Sequence, residues 1–135
     1  EIQRTRPQTL GYGLADSPVG QMAWIMEKFQ GWADDAKAPD DNFDCDHLLD
    51  NVMIYWLNNA GASSARLYRE SFGAPNIDPV NIPSGCITPS RRWAEQRFKN
   101  LQYWGEVERG GHFAAMEVPE LFVQEVRACF AGMEL

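Results

Sequence analysis

Basic residues are scarce in this chain: 12 Lys+Arg stand against 19 Asp+Glu, a formal charge of −7 over 135 residues. That balance leaves no face for tracking phosphates, so nucleic acid is not an expected partner. An anionic membrane surface is not expected either. No run of roughly 20 apolar residues occurs, which excludes an expected transmembrane helix. Glu1 to Pro7 is polar and lacks the apolar stretch of a secretory signal. The three cysteines, Cys45, Cys86 and Cys129, are odd in number and form no close pair. A disulfide framework is therefore not expected, and a reducing, cytoplasmic location is the simpler reading. Neither an internal repeat nor a low-complexity segment is present. What the chain does have is an apolar fraction of 44% with 12% aromatic residues, enough for a folded domain of about 100–150 residues.

Punctuation and periodicity divide the chain. Glu1 to Gly13, broken by Pro7, Gly11 and Gly13, reads as an extended connector. Ser17-Pro18 then announces a helix, because a serine N-cap accepts an orphan N–H and proline at the first position loses nothing. Val19, Met22, Ala23, Met26 and Phe29 give it one apolar stripe. A solvated acidic loop follows from Asp34 to Asp46. A second helix is expected from Asp46, as its N-cap, to Asn58, with Leu49, Val52, Met53 and Trp56 on its buried face. A third runs from Ser63 to Gly73, with Ala65, Tyr68 and Phe72 on one side. Ala74 to Pro89 reads as loop with a short strand around Val80 to Ile87. A helix over Ser90 to Lys99, a strand over Leu101 to Val107 and a last helix from Pro119 complete the pattern. Phe122, Val126, Cys129 and Phe130 form the expected core face of that last helix. The order implies a helical first part and then α/β structure with a parallel pair of strands. A parallel sheet normally has more strands, so the chain is expected to be the C-terminal part of a larger unit.

His112 is the leading candidate for chemistry. It follows Gly110-Gly111 at the end of a strand, where glycines let the backbone turn and loops carry functional groups. Imidazole titrates near neutrality and can act as a general base; a histidine packed there for structural reasons fits its position equally well. Tyr68 could lend its hydroxyl to a developing oxyanion, although its helical spacing alone describes a core tyrosine with its hydroxyl at the rim. Asp44-Cys45-Asp46-His47 has the composition of a metal cluster, but successive residues do not converge on one ion, and helix capping explains it better. Arg91-Arg92 and Arg66/Arg69 read as surface ion pairs. Gly11-Tyr12-Gly13 lacks the strand-to-helix setting of a phosphate loop. No cofactor or metal is expected.

Several longer stretches carry a resemblance. Ile2 to Leu10, Leu14-Ala15-Asp16-Ser17-Pro18-Val19-Gly20, Ala23-Trp24-Ile25 and Glu27-Lys28-Phe29 resemble the lid segment of microsomal-type epoxide hydrolases. So do Asn51 to Trp56 and Ser63 to Glu70. Pro89 to Glu95 and Arg109-Gly110-Gly111-His112-Phe113-Ala114-Ala115-Met116-Glu117 resemble the final part of that family. The resemblance covers almost the whole chain, in order.

It implies the C-terminal part of an α/β-hydrolase fold: a helical lid over residues 1–74, then a last strand-helix-strand-helix unit over residues 75–135. It further implies hydrolysis of a small-molecule epoxide by water through an ester on an aspartate. His112 would activate the water and Tyr68 would be one of two tyrosines bonding the epoxide oxygen. The nucleophile and the second tyrosine are not found in this chain, so a missing N-terminal hydrolase portion or partner chain is implied. The stretch Gly85-Cys86-Ile87-Thr88-Pro89 is shorter than the family's pattern and lacks its acid; Asp78 is the nearest upstream carboxylate. These departures keep a second function open, a non-catalytic hydrolase remnant acting as a binding or assembly module. Homo-oligomerisation also stays open.

Overall fold

Ser17 accepts the Gly20 N–H at 3.0 Å and Pro18 opens the longest helix among the described residues, the start that the sequence announces. The structure is a computed structural model and describes residues 1–34, 42–71, 73, 78–87 and 90–133. It divides into two compact units, Glu1–Pro75 and Asn76–Leu135.

The first unit is helical: α1 (Ile2–Thr5), α2 (Pro7–Asp16), α3 (Pro18–Trp32), α4 (Cys45–Leu57) and α5 (Gly61–Ser71). The expected connector over residues 1–13 is thus corrected to two helices. Pro7 occupies the first turn of α2, where its missing N–H costs nothing. Gly11 is a packing residue and not a breaker: a Cβ placed there would lie 2.6 Å from the Ala62 Cβ. Gly61 likewise admits Leu14, whose Cβ would be 2.7 Å from an added Cβ. Close contact between α2 and α5 outweighs the poor helix propensity of glycine. Arg69 ties α5 to α1 by donating to the Thr5 carbonyl at 2.6 Å.

Leu14, Phe29, Phe43, Leu48, Val52 and Ala65 form the buried apolar core of this unit. Phe29 and Phe43 meet edge to face with centroids 5.2 Å apart. Two predicted stripes are corrected here. On α3, Val19 and Met22 are exposed and only Phe29 of the stripe is buried, while Gln21, near the start of the helix, is buried as well. On α4, Leu48 and Val52 are buried at 4% and 5%, whereas Leu49 and Met53 are 50% and 42% exposed. The α4 sequence is apolar on two adjacent faces, so periodicity fits either one and packing decides. The cap of α4 is also two residues earlier than expected. Asp44, not Asp46, accepts the N–H groups of Asp46 (2.9 Å) and His47 (3.2 Å). The helix stops where Asn59 adopts φ 49°, a left-handed conformation that asparagine tolerates.

The second unit contains β1 (Ser84–Ile87), α6 (Arg91–Arg97), β2 (Leu101–Gly105), α7 (Ala114–Glu117) and α8 (Pro119–Ala131). The strands pair in parallel, with Gly85 opposite Tyr103, Cys86 opposite Trp104 and Ile87 opposite Gly105. This is the strand-helix-strand order and the parallel pairing that the sequence implies. Glycines seat α8 against the sheet: a Cβ at Gly85 would run into the Cys129 sulfur, and one at Gly105 into the Glu125 carboxylate. The expected core face of α8 is half right. Val126 and Cys129 are half-buried, but Phe122 and Phe130 are exposed, Phe130 at 66%.

Candidate functional site

The loop after β2 builds the main candidate. Gly110 takes φ +113°, a conformation that side chains rarely adopt, and an added Cβ would also lie 3.0 Å from Val118 Cγ2. Both facts require glycine two residues before His112. His112 is exposed, and its ring meets the Phe113 ring edge-on, with centroids 5.0 Å apart at 85°. Phe113 caps α7: its carbonyl accepts the N–H groups of Met116 at 2.7 Å and Glu117 at 3.0 Å. The Phe113 N–H in turn donates to Glu117 Oε1 at 3.0 Å. Ala114 and Ala115 open this short helix, which runs to Glu117.

Tyr68 stands half-buried on α5 of the first unit, one turn beyond buried Ala65 and next to the Arg69 that anchors α1. His112 is built by the second unit. Asp78 is exposed.

The residues set aside on chemical grounds find plain roles. Asp44 caps a helix, and no group of three or more His, Cys, Asp or Glu among the described residues could hold a metal ion. Arg91 pairs with Glu95 at 2.8 Å across one helical turn. Cys129 packs on Gly85. No helix among the described residues is long and apolar enough to cross a membrane.

Sequence reasoning missed three features. The first is the Glu117 clamp on Phe113; a carboxylate in the first turn after a loop is its only sequence signal. The second is the bond from the Tyr103 hydroxyl to Glu125 Oε2 at 2.8 Å, which pushes the phenol pKa above its ordinary value because the bond requires the proton. Burial, and then the neighbouring Cys129, push the Cys86 thiol up as well. The third is a cleft of about 380 Å³ in the first unit, lined by Leu10, Leu14, Ala23, Trp24 and Glu27 among others; Tyr68 is not part of its wall. Beside it, Lys28 Nζ sits 4.7 Å from the Trp24 ring centroid and 3.0 Å from Glu27.

No family model matches the sequence. Solved structures do define its class. The juvenile hormone epoxide hydrolase of the silkworm Bombyx mori superposes with a TM-score of 0.84 at 32% identity, over 96% of this chain and 38% of that one. The epoxide hydrolase of Aspergillus niger does so with a TM-score of 0.76 at 29% identity, over 96% of this chain and 34% of that one. The fold is that of the matching region of α/β-hydrolases. In sequence, the chain is 50% identical over 96% of its length to a protein of Stigmatella aurantiaca named as an epoxide hydrolase. It is 35% identical over 98% of its length to pig (Sus scrofa) epoxide hydrolase 1. This chain is thus related to the epoxide hydrolases by both sequence and fold. It spans about a third of the length of the curated relatives it matches, 31% and 33% in these two.

Proposed function

We propose that the chain supplies the water-activating histidine and an oxygen-binding phenol to an epoxide hydrolase. Residues 1–74 would act as the lid and residues 75–135 as the closing part of the hydrolase core. The observation that carries this reading is the exposed imidazole of His112 on a glycine hinge directly after β2, in a chain related to epoxide hydrolases. An aspartate outside this chain attacks an epoxide carbon, and the ring C–O bond breaks. Tyr68 hydrogen-bonds the oxygen as it gains charge and gives it its proton, which is restored to the phenol by the proton that His112 later takes from water. The product is a hydroxy ester of the aspartate. His112 then removes a proton from water, whose oxygen attacks the ester carbonyl and releases the diol and the carboxylate. The sum is epoxide plus water to vicinal diol, with no cofactor.

The test uses the protein encoded by the whole reading frame that carries this chain. The unaltered protein is expected to hydrolyse an aryl epoxide. His112→Ala is expected to stop turnover and to accumulate the ester, visible in intact-protein mass spectrometry as the protein plus one substrate. Tyr68→Phe is expected to slow ester formation. Equal turnover by the unaltered protein and His112→Ala overturns the reading and favours a non-catalytic module.

A further inference from the structure

We propose that Glu117 is a positioning residue for His112, fixing the aim of the imidazole through the backbone of its neighbour Phe113. This inference rests on His112 acting as the base. The first N–H groups of a helix have no partner within it. Phe113, the residue before α7, carries one of these orphan donors, and Glu117 Oε1 accepts it at 3.0 Å. A carboxylate acceptor makes such a bond about twice as strong as a neutral one. It is also needed, because α7 has four residues and a helix that short does not hold itself together.

The position of the bond gives it a catalytic consequence. His112 lies between two fixed points. On one side Gly110 sets the chain direction through its positive φ. On the other the Glu117 carboxylate holds the very next peptide, and the Phe113 ring attached to that peptide rests edge-on against the imidazole. Releasing the Phe113 N–H frees both its backbone rotation and the ring that backs His112. A base has to lie within hydrogen-bond reach of the proton it takes. A displacement of about 1 Å can cost a factor of about a hundred in rate. Glu117 touches neither substrate nor water in this account; it acts through His112 alone.

Two variants separate the acceptor from the charge. Glu117→Ala removes the acceptor, and Glu117→Gln keeps an Oε1 acceptor without the charge. In the protein from the whole reading frame, Glu117→Ala is expected to lower kcat by roughly tenfold or more while KM stays within about twofold. Glu117→Gln is expected to recover most of that loss. The pH profile of kcat is expected to move in the Ala variant and not in the Gln variant. Unchanged kcat in Glu117→Ala, or equal losses in both variants, overturns the proposal. His112→Ala run alongside separates the two ideas: if it turns over like the unaltered protein, the assignment of His112 fails, whatever Glu117 does. A second readout needs no turnover. In an NMR spectrum of the same protein, the His112 ring signals are identified as those that vanish in His112→Ala. Glu117→Ala is expected to broaden or shift those signals and to speed exchange of the Phe113 amide, and Glu117→Gln to preserve both. Unaltered His112 ring signals in the Ala variant overturn the proposal on their own.

Discussion

The Tyr103 hydroxyl donates to the Glu125 carboxylate at 2.8 Å, and this bond fastens α8 to β2 across the sheet face. It exists only while the phenol keeps its proton. The bond to Glu125, partial burial and the negative charge of that carboxylate all raise the Tyr103 pKa above the ordinary 10.0. Because the folded-state pKa is the higher one, the stabilisation is fully present below about 10 and is lost as the pH climbs through the folded value. Tyr103→Phe is therefore expected to melt at a lower temperature than the unaltered protein near neutrality. The gap should close at strongly alkaline pH, as followed by calorimetry. A gap that stays constant to high pH contradicts the assignment.

Asp44 and Asp46 offer a contrast within one helix start. Asp44→Ala removes the acceptor for two backbone N–H groups and is expected to cost about 0.5–2 kcal/mol in urea denaturation. Asp46→Ala removes only a favourable charge in the first turn of α4, with an expected cost of about 0.3–1 kcal/mol. If Asp46→Ala proves the more damaging, the cap has been assigned to the wrong residue.

Glycines two positions apart on α2 should respond with opposite signs. At Gly11 an added methyl would press on both Cβ and Cα of Ala62, and overpacking of that kind costs about 1–3 kcal/mol. At Gly13 nothing lies within 4 Å of an added Cβ, and alanine there should stabilise the helix by about 0.5–1 kcal/mol. Melting temperatures of Gly11→Ala and Gly13→Ala that move in the same direction would disprove this account of the helix contact.

Gly110→Ala should be costly for a backbone reason. A side chain at φ +113° stores about 1–3 kcal/mol of strain. Denaturation should report that loss, and hydrolysis by the protein from the whole reading frame should fall with it, since the hinge directs His112. A Gly110→Ala protein of unaltered stability would show that the loop relaxes to another path.

Features written in local chemistry were legible in the sequence, and features written in distant contacts were not. Ser17-Pro18 declares its helix through one side-chain bond and one fixed φ. The parallel pair of β1 and β2 follows from alternation and an intervening helix. The glycines before His112 announce a sharp turn, which Gly110 makes. By contrast, α1 and α2 exist because Gly11 meets Ala62 and Arg69 reaches the Thr5 carbonyl. Neither partner is visible from residues 1–13. The face that α4 buries was ambiguous because Leu48/Val52 and Leu49/Met53 satisfy the same period. At the candidate site the glycine turn before His112 was legible, but the bond from Phe113 to Glu117 was not. Glu117 works by reaching backward to a peptide N–H, a partnership that only the short α7 creates.

The contact between Gly11 and Ala62 also reaches Tyr68. Two rods whose backbones lie side by side with no long side chain between them have little freedom to slide or roll. Ala65, 1% exposed, locks the next stretch of α5 into the same seam, and Tyr68 rides one turn further along that rod. The phenol is thus carried by a rigid strut. Its hydroxyl is aimed by main-chain geometry set more than a turn away, before its own torsion angles are chosen.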